Sequence, residues 1–154
     1  MEELWYPASR FWEGGPRMDR LPPILVVDDE ENIRTYLKTV LELKGYEVVL
    51  ADDGEGALRR LQEGAVYSLI ILDIMLPRMD GLEVLGRIRK TAKQTPVIML
   101  TGVGETGTIV KAMKLGASDY LTKPFEEEEL DFAMNSVLEK NKLVQELKTL
   151  KSQL

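Results

Sequence analysis

Four short apolar runs in this chain end in residues that could do ionic chemistry. Ile24-Leu25-Val26-Val27 runs into Asp28-Asp29, and Leu69-Ile70-Ile71-Leu72 runs into Asp73. Val97-Ile98-Met99-Leu100 ends at Thr101, and Asp119-Tyr120-Leu121-Thr122 ends at Lys123-Pro124. If the runs are parallel strands of one open sheet, all these ends share one edge, where ligands of such sheets bind. Three carboxylates gathered there would repel one another. A hard divalent cation relieves that repulsion, and Mg²⁺ needs only a few carboxylates plus water. Each residue alone has a plainer reading. Asp29 would serve as the N-cap of a following helix, Thr101 as a strand-end hydroxyl, and Lys123 as a surface charge. Asp73 is harder to explain that way, because Ile74-Met75-Leu76-Pro77 does not continue as a helix. The specificity lies in the combination.

Those ends need elements to position them. Continuous apolar runs are the mark of strands buried on both faces. Between them, Ile33, Leu37, Val40 and Leu41 recur at helical spacing up to Gly45. Val48-Val49-Leu50 forms a short second strand, and Ala57, Leu58 and Leu61 mark a helix ending near Gly64. Leu82, Val84, Leu85 and Ile88 lie on a third helix; Ile109, Ala112, Met113 and Leu115 lie on a fourth, closed by Gly116. A last helix begins near Glu126 and runs towards the end of the chain. Five alternations of strand and helix predict an α/β fold with a parallel sheet.

Composition narrows the chemistry. The 154 residues contain no cysteine and no histidine. Disulfides, thiolate sites, imidazole zinc sites, Ser-His triads and an internal phosphohistidine are therefore excluded. The formal charge of −6 does not suit non-specific binding to nucleic acid phosphates, so no direct nucleic acid partner is expected. No apolar stretch approaches the roughly 18 residues of a membrane span, and no signal-peptide core stands at the N-terminus. A cytoplasmic location without membrane contact is the resulting expectation.

The strand ends also carry a resemblance. Val26-Val27-Asp28-Asp29-Glu30, the segment from Leu72-Asp73 to Asp80-Gly81, Leu100-Thr101-Gly102 and Tyr120-Leu121-Thr122-Lys123-Pro124-Phe125 resemble the receiver domain of two-component response regulators. The likeness spans roughly residues 22–139. It implies a flavodoxin-like, doubly wound, five-stranded parallel sheet in the order 2-1-3-4-5, with five helices and the last one extended. It implies that Asp73 accepts a phosphoryl group from a histidine kinase, and that Asp28, Asp29, Asp73 and the Met75 backbone carbonyl hold Mg²⁺. Thr101 and the Gly102 N–H would donate to phosphoryl oxygens, Lys123 would pair with their charge, and Thr101 with Tyr120 would form the switch. Gly81 fits the turn before the third helix, and the Lys123–Pro124 bond is usually cis in the family. Phosphoryl transfer demands positioning and charge neutralisation more than a general base, in keeping with these residue types.

The ends of the chain remain. Residues 1–21 read as a disordered N-terminal extension, with Met18 an alternative start. Trp5, Tyr6, Phe11 and Trp12 also allow an aromatic docking peptide. Residues 140–154 read as a helical tail. Leu143, Leu147, Leu150 and Leu154 are spaced 4, 3, 4, which is either a coiled-coil start, offering a homodimer through the C-terminal helix, or a solvated helix end. The expected function is a phosphorylation-controlled switch rather than an enzyme, catalysing only its own aspartyl phosphorylation and hydrolysis. Its partners would be a sensor histidine kinase and a downstream effector or an output domain. Alternatives are a receiver fragment of a longer transcriptional regulator, an unphosphorylated pseudo-receiver, and a Mg²⁺ phosphohydrolase. The last is disfavoured by Ile74 and Met75, where it would need a second acid/base residue.

Overall fold

The computed structural model describes residues 21–152. The aromatic N-terminal stretch and Leu154 of the leucine series lie outside the described residues. Within them the order is β1 (Ile24–Val27), α1 (Glu31–Leu43), β2 (Val48–Ala51), α2 (Gly54–Gln62), β3 (Leu69–Asp73), α3 (Gly81–Thr91), β4 (Val97–Thr101), α4 (Thr106–Lys114), β5 (Asp119–Thr122) and α5 (Glu127–Ser152). All five strands are parallel, in the order β2-β1-β3-β4-β5. The flavodoxin-like arrangement expected from the sequence is the one observed.

Alternation along the strands builds two cores. Leu25, Val27, Ile70, Leu72, Val97 and Met99 point to one face and pack with Ala57, Leu58, Val84, Leu85 and Ile88 of α2 and α3. Ile24, Val26, Leu69, Ile71, Ile98 and Leu100 point to the other and pack with Leu37 and Leu41 of α1 and Leu130, Ala133 and Met134 of α5. Parallel crossovers are right-handed. The chain moves outward from β1 to β2, then back across β1 to β3 and onward. That reversal puts α1 on the face opposite α2, α3 and α4, and it leaves a crevice between β1 and β3 at their carboxyl ends.

Local chemistry sets the helix starts. Asp53 Oδ1 accepts from Gly56 N at 2.8 Å and Asp80 Oδ1 accepts from Glu83 N at 2.9 Å, each satisfying an amide that a helix start leaves free. Asp29 does not cap α1. The N-cap residue is Glu30, which makes no side-chain cap, and Asp28 Oδ1 instead accepts from Glu30 N at 2.8 Å. Helix α4 also differs from its pattern. Of Ile109, Ala112, Met113 and Leu115, only Ala112 is buried; Met113 and Leu115 are exposed. Ala112 alone carries the helix into the core, so its larger apolar residues lie beside that contact rather than in it.

Candidate functional site

The register brings the polar strand ends together. Val27 pairs with Leu72 across β1 and β3, so Asp28 and Asp73, each one residue further on, stand side by side. Asp73 pairs with Leu100, and Thr101 with Thr122, which places Lys123 just beyond. Lys123 N donates to the Thr101 carbonyl at 2.7 Å, continuing the ladder past the end of β5. The carboxylates of Asp28, Asp29 and Asp73 offer oxygens that all lie within 4.8 Å of one another. Asp28, Asp73 and Thr101 are buried, whereas Asp29 is exposed.

Lys123 ties the cluster together. Its Nζ lies 2.8 Å from Asp28 Oδ2, 3.1 Å from Asp73 Oδ2 and 3.0 Å from Glu30 Oε1. Asp28 Oδ2 is met by that ammonium, whereas the buried Thr101 hydroxyl has no partner among the described residues. A buried polar atom without a partner is costly. One ammonium facing three carboxylates, with Asp29 a fourth beside them, leaves the cluster short of positive charge. That excess of anionic charge fits a hard cation, and an all-oxygen donor set suits Mg²⁺.

The loop after Asp73 is held by backbone contacts. Met75 N donates to Asp73 Oδ1 at 3.1 Å, Ile74 N to the Leu100 carbonyl at 3.0 Å, and Gly81 N to the Ile74 carbonyl at 2.7 Å. A Cβ on Gly81 would collide with the Asp73 carbonyl oxygen and stand 2.6 Å from Ile74 Cα. Glycine is therefore required because α3 starts directly against the backbone that carries Asp73. Arg78 adopts φ 67° and pairs with Asp53 Oδ2 at 2.9 Å, linking this loop to α2.

A model of the response regulator receiver domain matches residues 24–135. The chain belongs to the response regulator receiver family. It is 43% identical over 120 residues to the alkaline phosphatase synthesis transcriptional regulatory protein PhoP of Bacillus subtilis, covering 78% of this chain and 50% of that protein. It is 47% identical over 107 residues to the transcriptional regulatory protein DltR of Streptococcus agalactiae, covering 70% and 47%. The chain thus spans about half the length of the curated relatives it matches. The crystal structure of the receiver domain of NtrX from Brucella abortus superposes with a TM-score of 0.71 at 39% identity, covering 75% of this chain and 98% of that one. The molecule is the receiver of a two-component response regulator, a signalling switch rather than a catalytic enzyme.

In this receiver the electrostatics of Asp73 are unusual for a carboxylic acid. Burial, reinforced by the Asp28 charge, pushes its pKa up to about 6, against the opposing pull of Lys123 and the Met75 N–H. For Lys123, burial alone would lower the pKa, but contacts with Asp28 and Glu30 and the nearby Asp73 charge raise it, keeping the ammonium charged. Two neighbours were not marked by the pattern of strand ends. Glu30 shares Lys123, and Arg34 Nη1 donates to the Asp28 carbonyl at 2.7 Å. Arg34 follows Asp28 by six residues, on the first turns of α1, and that spacing was the available signal. Met75, Gly102 and Tyr120 sit around the same edge: Met75 on the exposed loop, Gly102 directly after Thr101, and Tyr120 exposed on β5. The Lys123–Pro124 bond is cis.

Proposed function

We propose that this receiver accepts a phosphoryl group on Asp73 from the phosphohistidine of a sensor kinase, with Mg²⁺ at Asp28, Asp29, Asp73 and the Met75 carbonyl. The observation that carries this reading is the three-carboxylate cluster spanned by Lys123. An Asp73 carboxylate oxygen attacks phosphorus, the N–P bond of the donor breaks, and the imidazole leaves with that electron pair. Lys123 offers a fixed ammonium to the charge on the phosphoryl oxygens. The Thr101 hydroxyl, otherwise unpartnered, and the Gly102 N–H donate to the same oxygens. Bound Mg²⁺ would supply further neutralisation of anionic oxygen. Such fixed donors and charges need no reorganisation as charge develops.

The output of the switch is a change in protein contact. Thr101 is drawn towards the new phosphoryl group, and Tyr120, exposed in this state, moves inward from β5; the two-state element is the surface between them. Residues 22–139 form the receiver and 140–154 a tail. The named relatives are transcriptional regulators about twice the chain's matched length, which favours a partner or appended output domain that contacts DNA in place of the receiver. Among the described residues no helix is long and apolar enough to cross a membrane, in keeping with a cytoplasmic site of action.

The test is intact mass after incubation with a small phosphodonor and Mg²⁺. The chain should gain one phosphate, lose the gain in EDTA, and gain none as Asp73→Asn. A wild-type chain that takes no phosphate would instead make it a pseudo-receiver, and unchanged labelling of Asp73→Asn would move the acceptor elsewhere.

A further inference from the structure

Helix α5 is one continuous helix with two unlike halves. Its buried residues are Leu130, Ala133, Met134 and Val137, all on the receiver core. From residue 145 to 152 every residue is exposed. Leu143, Leu147 and Leu150 are 51%, 57% and 58% exposed, on one stripe of a helix that has left the receiver. The segment from 138 to 152 alone extends about 22 Å at the usual rise per residue.

The spacing assigns heptad positions: Leu143 and Leu150 are d, Leu147 is a, and Leu154 continues the series in the sequence at the next a. Glu146 then falls at g and Lys151 at the following e. In a parallel, in-register pair, g of one helix faces e of the next heptad on its partner. Glu146 and Lys151 are separated by the five residues that this contact requires, and symmetry makes the pair twice. An antiparallel pair would match e with e and g with g. With the leucines matched, that sets Val144 against Lys151 and Glu146 against Gln153 of the sequence, so neither Glu–Lys pair forms. Lys140, at the preceding a position, stops the seam from running back into the receiver. The charge pattern therefore selects a second copy of this chain in one orientation.

We propose that α5 from residue 143 onward forms a parallel, in-register two-stranded coiled coil with the same helix of a second copy, Glu146 of each chain pairing with Lys151 of the other. The proposal does not depend on phosphoryl chemistry. Sedimentation of the full chain from micromolar to millimolar concentration should show a monomer–dimer equilibrium. Leu147→Asp should weaken it more than tenfold, since it buries a charge in the seam. Glu146→Lys and Lys151→Glu should each weaken association by about fivefold, the scale of two exposed ion pairs lost; the double exchange should recover it. The chain has no cysteine, so Leu150→Cys gives a clean reporter: d faces d in a parallel pair, and mild oxidation should link two chains. Far-UV circular dichroism of each variant establishes that the receiver is folded. A monomer throughout the range, association untouched by Leu147→Asp, a double exchange that fails to recover, or a Leu150→Cys dimer that does not cross-link would each overturn the proposal.

Discussion

The carboxyl end of the sheet and the second half of α5 are opposite solutions to the same shortage. At the sheet end, charged groups are buried and lack enough counter-charge: Asp28 and Asp73 are almost fully enclosed and share Lys123. Along α5, apolar groups are exposed and lack enough apolar surface: three leucines of one stripe stand more than half in water. Each region is locally unfavourable in the isolated chain. The first is the basis of the proposed cation and phosphoryl chemistry, the second of the proposed helix pairing. Function is read here from incomplete satisfaction, at a site where charge is crowded and at a surface where leucines are left in water.

The sharpest break of that comparison is between leucines of the same helix. Leu130→Ala should destabilise the receiver by roughly 2–5 kcal/mol in urea unfolding, because Leu130 is fully enclosed and leaves a cavity. Leu150→Ala, measured at a concentration where the chain is monomeric, should change stability by no more than about 0.5 kcal/mol. Equal effects would mean that the distal half of α5 packs on the receiver.

At the sheet end, Gly81→Ala should cost about 3 kcal/mol, the upper part of the range for overpacking, because the new methyl meets backbone at Asp73 and Ile74 rather than a movable side chain. Thermal unfolding without Mg²⁺ measures it. A neutral result would show that α3 can shift away from the loop after Asp73 at no cost.

The pH dependence probes the buried charge directly. Asp73 titrates near 6 in the folded chain against an ordinary value of 3.8. Between those values the folded state keeps a proton that the unfolded state has lost. The contribution of Asp73 to stability therefore falls as pH rises from about 4 to about 6, by at most about 3 kcal/mol. Asp73→Asn should abolish this component in EDTA and make the chain more stable than wild type at pH 8. Mg²⁺ should narrow the gap by stabilising wild type more than the variant. The smallest effect is expected at the exposed Lys38–Glu42 pair, whose contact at 2.6 Å is an i,i+4 surface bridge; Lys38→Ala should cost about 0.3–0.5 kcal/mol and vanish in salt.

Much of this was legible before any coordinates. Fully apolar runs such as Leu69–Leu72 announce buried parallel strands, because a strand covered by helices on both faces has no polar side to show. Glycines 45 and 116 marked helix ends, and both adopt positive φ. The acidic strand ends marked the site through their common position after strands. Helix α4 was less legible: periodicity records that a helix is amphipathic, but not how closely it sits on its sheet, and only Ala112 makes the buried contact. The N-cap role of Asp29 failed for a related reason, since a carboxylate beside a helix start can serve the start or the crevice. The sharing of Lys123 with Glu30 had no local signature, because the two residues lie 93 positions apart.

The division between sequence and tertiary structure follows from range. Period, apolar run length and turn residues act over a few neighbouring positions, so the chain by itself determined the five strands, the five helices and the leucine stripe of α5. Registry, burial and charge balance are sums over groups far apart along the chain. Only the packed sheet decided that Asp28 stands beside Asp73, that Lys123 reaches both, that Gly81 abuts the backbone of Asp73 and Ile74, and that the receiver core covers α5 as far as Val137 and leaves Leu143 to water.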